Sequence, residues 1–123
     1  MTDVPLPPRQ DERRKSERVA VDFFVEVRRG EVITLHPAID LSRHGLYLLA
    51  TDDHGALDSE VTLDLDLTLP TGVQIHTQGF IAYSDDRLGQ RGLGIEFSEL
   101  SPVDQDAIGR FIDASLAARR RFG

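Results

Sequence analysis

The feature that most constrains the fold of this chain is a strict alternation of apolar and polar residues. It is clearest over residues 61–69, where every odd position is Val or Leu and every even position is Thr or Asp. In an extended strand, this period of two places all the apolar side chains on one face. That face is stable only when it is buried, so the stretch predicts a half-buried β-strand. A similar alternation runs from Val19 to Arg28, although Phe24 interrupts its polar face.

Four more segments predict strands, and short turn sequences separate them. The strands are predicted at 32–39 with an interruption near Pro37, at 46–50, at 73–84 with a bulge at Gly79, and at 92–97. Gly30 and Gly72 mark two turns, a third turn is predicted at 85–90, and the polar stretch 51–58 predicts a loop. The two glycines of the last segment favour close packing or strong curvature, as in a small closed barrel.

A helix is predicted after the last strand. Ser101 is a favoured N-cap residue, and Pro102 suits the first helical turn. An apolar face then recurs at helical spacing, formed by Ile108, Phe111, Ile112 and Leu116. This face can pack on the chain's own barrel or on another subunit. Six strands with hairpin-length links and one terminal helix predict an all-β fold class, a six-stranded antiparallel barrel with a C-terminal helix.

The composition narrows the classes of partner. A chain of 123 residues is the size of one domain, and its net charge of −7 argues against DNA or RNA as a partner. Residues 1–18 carry a net charge of +1 and residues 119–123 a net charge of +3. An anionic ligand is therefore attracted to the ends of the chain and repelled by the rest. The absence of cysteine, of a long apolar run and of a signal peptide favours a cytoplasmic protein that does not insert into a membrane.

Two short motifs lie about twenty residues apart. The first is R-x-x-x-R, from Arg14 to Arg18, and the second is D-x-S-x-x-G, from Asp40 to Gly45. Taken alone, the first is more often a solvated basic arm and the second a structural turn. Together, and followed by Gly-x-Gly-Ile-x-Phe in the last strand, they resemble the ligand-binding signature of PilZ domains, bacterial receptors for the second messenger cyclic di-GMP. The resemblance runs from about Arg13 to about Leu116.

The resemblance implies a fold and a site. The family fold is a six-stranded antiparallel barrel with a C-terminal helix, and the nucleotide lies between the N-terminal arm and the second motif. The residue types suit this ligand. Guanidinium groups such as those of Arg14 and Arg18 bond phosphate oxygens and guanine O6 and N7, and they stack on purine faces. Asp40 can accept hydrogen bonds from guanine N1–H and N2–H, and Ser42 can donate or accept. Gly45 can adopt a positive φ and let the backbone turn beside the ligand.

Arg13 extends the set of candidate residues. Its side chain can stack on a guanine or reach a second ligand molecule, and the alternative is another solvated charge. The predicted cyclic di-GMP site therefore contains Arg13, Arg14, Arg18, Asp40, Ser42 and Gly45. Arg43 and His44 are variable positions of the second motif and are at most rim contacts.

The sequence predicts neither a metal site nor catalytic residues. The spacing of the four histidines, at positions 36, 44, 54 and 76, matches no familiar metal site. The acidic pairs at 52–53 and 85–86 lie in predicted turns, where Asp is favoured for local bonding. No nucleophile elbow or P-loop is present in the sequence. We therefore expect a protein that is not an enzyme and has no cofactor.

The domain organisation follows from these observations. Residues 1–12 are predicted to be a flexible N-terminal arm, 13–118 a PilZ-like domain, and 119–123 a basic C-terminal tail. The predicted function is that of a cyclic di-GMP receptor, whose arm and surface change on binding and act on an unidentified protein partner. The alternative is a PilZ-like protein-interaction module that does not bind nucleotide.

Overall fold

The computed structural model of the chain describes residues 17–50, 62–87 and 89–122. The strands are β1 (Val19–Ala20), β2 (Phe24–Arg29), β3 (Val32–Leu41), β4 (Gly45–Leu49), β5 (Leu63–Thr68), β6 (Gln74–Arg87) and β7 (Gln90–Glu99). One helix, α1 (Pro102–Phe122), follows them. The predicted arm at 1–12 and the predicted loop at 51–58 lie outside the described residues.

Six of the strands close into an antiparallel barrel. Their order is β3-β2-β5-β6-β7-β4, and β4 pairs back onto β3 to complete the ring. This arrangement confirms the fold class predicted from the sequence. Because β4 pairs with β3, neither strand presents an unpaired edge of the sheet at this point.

β1 is an additional short strand and lies on the same edge of β3 as β2. Val19 pairs with Leu41, and Phe24 pairs with Pro37. Between them, two backbone hydrogen bonds, Val21 N–H to the Ile39 carbonyl and Ala38 N–H to the Phe23 carbonyl, continue the contact. The single strand predicted from Val19 is therefore present as two segments, separated by a short irregular stretch at 21–23.

The alternation predicts the core correctly. Leu63, Leu65 and Leu67 are buried in the barrel, and the intervening residues of β5 are not. Ile108 and Ile112 of α1 are fully buried in the same core cluster. The apolar face of the helix therefore packs on its own barrel, which settles the question that the sequence left open. No described helix combines the length and the apolar character needed to cross a membrane.

Several elements differ from those predicted, as three cases show. β3 continues through Pro37, and its irregularity lies two residues later, between Ala38 and Asp40, where β3 pairs with β4. β6 extends to Arg87, so the predicted turn at 85–90 is shorter, with a positive φ at Gly89. α1 continues to Phe122, so most of the predicted basic tail is helical. Arginine is a good helix former, and its charge is favourable at a helix C-terminus.

Candidate functional site

The structure brings the last residue of the first motif against the first residue of the second. Arg18 directly precedes β1, and the pairing of Ala20 with Asp40 places β1 beside the end of β3. Arg18 Nη1 lies 2.7 Å from Asp40 Oδ1, in an ion pair whose side chains are 41% and 20% exposed. Both groups are therefore accessible from solvent and can change partners. Arg13 and Arg14, the other predicted arginines, lie outside the described residues.

Ser42 holds the turn that follows Asp40. Its side chain is 2% exposed. Its Oγ accepts hydrogen bonds from the backbone N–H groups of His44 and Gly45, both at 3.2 Å. It also donates to the Gly45 carbonyl at 3.3 Å, beside the backbone bond from Ser42 N–H to the same carbonyl. A hydroxyl has one donor and two acceptor positions, so the turn uses the full capacity of this group.

Gly45 is required in the turn for a reason other than the predicted one. The described glycines with positive φ are Gly30, Gly72 and Gly89, so the expectation of a positive φ at Gly45 is wrong. Gly45 opens β4, where it pairs with Glu96 of β7. A Cβ atom at this position would collide with the backbone carbonyl oxygen of Ile95. Only a residue without a side chain lets β7 approach the turn this closely.

Tyr47 lies beside Asp40 and belongs to neither motif. The two residues are direct cross-strand partners. Leu46 and Leu48 belong to the core cluster and Tyr47 does not, so Tyr47 lies on the outer face of the barrel with Asp40. Tyr47 is nevertheless only 1% exposed, and the Arg87 guanidinium lies 4.0 Å from the centroid of its ring.

The hydroxyl of Tyr47 donates a 2.5 Å hydrogen bond to Asp85. Burial, followed by this bond, raises the pKa of Tyr47 to about 12. The phenol therefore stays protonated at neutral pH and keeps donating to Asp85. The sequence feature connected with the position of Tyr47 is Gly92, because a Cβ at Gly92 would collide with the Tyr47 hydroxyl. The Gly-x-Gly of β7 therefore leaves room for aromatic rings on the outer face.

Helix α1 contacts the segments that carry both motifs. Arg119 Nη2 donates to the backbone carbonyl of Arg18 at 3.3 Å. Arg43, from the second motif, bonds both carboxylate oxygens of Asp113 at 3.0 Å through Nη2. The same nitrogen lies 3.5 Å from the Gly109 carbonyl. These contacts span 66 to 101 residues in sequence, so no local pattern indicates them.

A groove of about 610 Å³ lies on the α1 side of the second motif. Arg43 and His44 form one part of its lining, and the end of β7 and the first half of α1 form the rest, including Phe97, Leu100 and Asp113. Among the residues that the structure describes, no group of three or more His, Cys, Asp or Glu side chains is placed to hold a metal ion.

Comparisons with known proteins agree on the fold. A family model described as the PilZ domain matches residues 12–114. The structure of MotI/DgrA, an inhibitor of motility from Bacillus subtilis, has a TM-score of 0.77 at 23% identity, covering 87% of this chain and 53% of that one. The present chain thus spans about half the length of that structure. No curated protein matches the sequence.

Two structures with cyclic di-GMP are also similar. The PilZ domain of YcgR from Escherichia coli has a TM-score of 0.74 at 17% identity, covering 89% of this chain and 95% of that one. PlzA from Borreliella burgdorferi has a TM-score of 0.56 at 13% identity, covering 94% of this chain and 58% of that one. At these identities the likeness is one of fold.

Proposed function

Because the chain belongs to the PilZ domain family, we propose that it is a receptor for cyclic di-GMP and not an enzyme. The family model covers most of the sequence, and similar structures contain this nucleotide. In this proposal, the ligand lies on the outer face of the barrel, between the N-terminal arm and the turn of the second motif.

The observation that carries the proposal is the contact between Arg18 and Asp40. Two motifs that are 22 residues apart in sequence meet within hydrogen-bonding distance, and both side chains are accessible. An anionic ligand with guanine bases can bond both groups. Its phosphate takes the guanidinium of Arg18, and its guanine N1–H and N2–H groups take the carboxylate of Asp40. The ion pair in the structure thus holds the two groups beside one another.

The other predicted residues have different parts in this proposal. Ser42 and Gly45 fix the turn, since the hydroxyl is fully used within it and Gly45 lies against β7. Arg13 and Arg14 supply further guanidinium groups from the arm. Cyclic di-GMP has two phosphates, so neutralising it calls for more cations than Arg18 alone.

Binding would also change the surface that the protein offers. We propose that the arm becomes ordered against the barrel when its arginines engage the ligand, and that a cytoplasmic protein partner distinguishes the two surfaces. Such a switch needs contacts that exist only in the bound state, which the arginines of the arm provide.

One observation bears on the alternative, a protein-interaction module that does not bind nucleotide. Phe24, Ile33 and Leu35 lie on neighbouring strands with 57%, 49% and 55% of their surfaces exposed. Clustered exposed apolar side chains often mark a protein contact. This surface is compatible with both functions, so ligand binding decides between them.

The test is a calorimetric titration of the protein with cyclic di-GMP, with GTP and cyclic di-AMP as controls. The proposal predicts a dissociation constant of about 1 μM or lower, which corresponds to about −8 kcal/mol. The controls should bind much more weakly. If no heat is released and no NMR signal shifts at high ligand concentration, the receptor proposal is wrong and the interaction-module alternative is left.

A further inference from the structure

We infer that Arg43 is a positioning residue that couples the ligand-binding turn to helix α1. The inference rests on the proposed function, and it assigns a role to a variable position of the second motif. Arg43 lies between Ser42 and His44, in the turn whose backbone the Ser42 hydroxyl closes. Its side chain leaves that turn and reaches the middle of the helix.

The contacts of Arg43 with α1 define where its guanidinium lies on the helix. Arg43 Nη2 bonds the carboxylate of Asp113 through both oxygens and approaches the Gly109 carbonyl, one helical turn earlier. Gly109 is buried, and a Cβ there would lie only 3.3 Å from Arg43 Nη2. The guanidinium therefore lies across the helix where the helix has no side chain. A small movement of the turn changes this contact.

A second contact ties the same helix to the first motif. Arg119 Nη2, near the C-terminal end of α1, donates to the backbone carbonyl of Arg18. Arg18 is the residue that pairs with Asp40, so both segments of the proposed site are attached to one rigid element. A ligand bound between these two segments therefore contacts both parts of the chain that are attached to α1.

Helix α1 can move without unfolding the barrel because its attachments are of two kinds. Ile108 and Ile112 anchor its inner face in the core. The side chains of the Arg43–Asp113 pair are 37% and 67% exposed, so solvent screens the pair and it can adjust. This pair also lines the groove between the turn and the helix.

The test is amide hydrogen exchange of the full chain, with and without saturating cyclic di-GMP. In the wild type, we expect the ligand to change the exchange of α1 amides at 109–113 by about threefold or more. Arg43→Gln and Asp113→Asn should both abolish this response while weakening ligand binding by no more than about fivefold, the range of exposed ion pairs. Asp113→Asn separates coupling from any direct contact of Arg43 with the ligand, because it leaves the Arg43 cation itself unchanged.

Two variants serve as controls. Arg110→Gln removes a different ion pair of the same helix, with Asp106, which does not reach the turn, and it should keep the full response. Arg43→Lys retains the charge and a donor for Asp113, and it should retain most of the response. In the ligand-free protein, Arg43→Gln should also speed the exchange of the Gly45 amide.

Some results would overturn the inference. If the wild type binds cyclic di-GMP with no change in α1, or if both variants respond like the wild type, Arg43 does not couple the turn to the helix. Unchanged Gly45 exchange in ligand-free Arg43→Gln would contradict it independently of the ligand. If the wild type binds no cyclic di-GMP at all, the proposed function fails, and the inference fails with it.

Discussion

The guanidinium of Arg18 bonds the carboxylate of Asp40, and in the proposed function a ligand phosphate competes with that carboxylate for the guanidinium. Its pair with Asp40 is partly exposed, and pairs of this kind are typically worth less than about 1 kcal/mol. A bond between a guanidinium and a phosphate at a closed site is stronger, because the ligand excludes water from it. In the proposed function, this exchange of partners leaves Asp40 free to accept from guanine.

The first prediction concerns Arg18. Arg18→Ala should weaken cyclic di-GMP binding by about 1.5–3 kcal/mol, the range of hydrogen bonds to charged groups. Calorimetry measures the loss, and the unfolding midpoint should change little because Arg18 lies outside the strands. Arg28→Ala is the matched control. It removes an exposed arginine that is paired with Glu26 on another part of the barrel. If both variants bind cyclic di-GMP equally well, Arg18 contributes nothing to binding and is only a solvated charge.

The second prediction concerns Ser42. Ser42→Ala removes the acceptor of the His44 and Gly45 amides, so it should lower the free energy of unfolding by about 1–3 kcal/mol. Ligand binding should weaken as well, because the turn is no longer fixed. Ser98→Ala, at an exposed position, should change stability by less than about 0.5 kcal/mol. Urea denaturation of the two variants checks this. A variant at position 42 with wild-type stability and weak binding would instead make Ser42 a direct ligand contact.

At the scale of elements, the approach of β7 to β4 shapes the site. Gly45 pairs with Glu96, and the next pair joins Leu46 to Ile95. The turn of the second motif lies at the end of β4 where this pairing begins. Tyr47, on the outer face of the barrel, lies two residues further along the same strand. Both features depend on glycines that keep the outer face of these strands clear.

The third prediction concerns this close approach. Gly45→Ala should destabilise the fold by more than about 3 kcal/mol, because the added Cβ meets a backbone carbonyl that no rotamer change can move. Gly30→Ala is the control. Gly30 has a φ of +64° and open space around it, so alanine there should cost only about 1–2 kcal/mol of left-handed strain. Denaturant midpoints at an unchanged m-value give the comparison. A smaller loss at Gly45 than at Gly30 would contradict the packing argument.

The sequence predicted the elements that depend on local patterns. The alternation of β5, the turn at Gly30 and the N-cap at Ser101, whose Oγ accepts from Asp104 N–H at 3.1 Å, are all confirmed. The motifs located the segments that meet at Arg18 and Asp40. The sequence did not indicate the contacts of Arg43 and Arg119 with distant residues. They depend on where α1 docks on the barrel, and helical periodicity identifies only which face of a helix is buried.

At the scale of the whole molecule, the charges favour a local site. The net charge of the chain is −7, while residues 1–18 have a net charge of +1. Arg119 of the helix lies against the carbonyl of Arg18, so cations from both ends of the sequence meet at the proposed site. An anionic ligand is thus attracted to this one region of an otherwise acidic protein.

The fourth prediction concerns how many ligands this region holds. Arg13 adds a guanidinium beyond those of the motif and can stack on an exposed guanine, which favours a second ligand molecule by about 0.5–2 kcal/mol. We expect two cyclic di-GMP molecules per wild-type chain and one per Arg13→Ala chain. Calorimetry at protein concentrations well above the dissociation constant measures this ratio. A ratio of one for the wild type, or one that the substitution leaves unchanged, would make Arg13 a solvated charge.

The most direct test of the central claim is an NMR map of backbone amides during titration with cyclic di-GMP. Binding between the arm and the second motif predicts shifts at Arg18 and at 40–45, with residues 9–18 becoming protected from exchange. The amide signals of residues 74–78 in β6 should not shift, and cyclic di-AMP should produce none of the shifts at Arg18 and 40–45. Shifts confined to the exposed β2–β3 surface, equal shifts with both nucleotides, or equal protection of 9–18 with and without ligand would contradict the account.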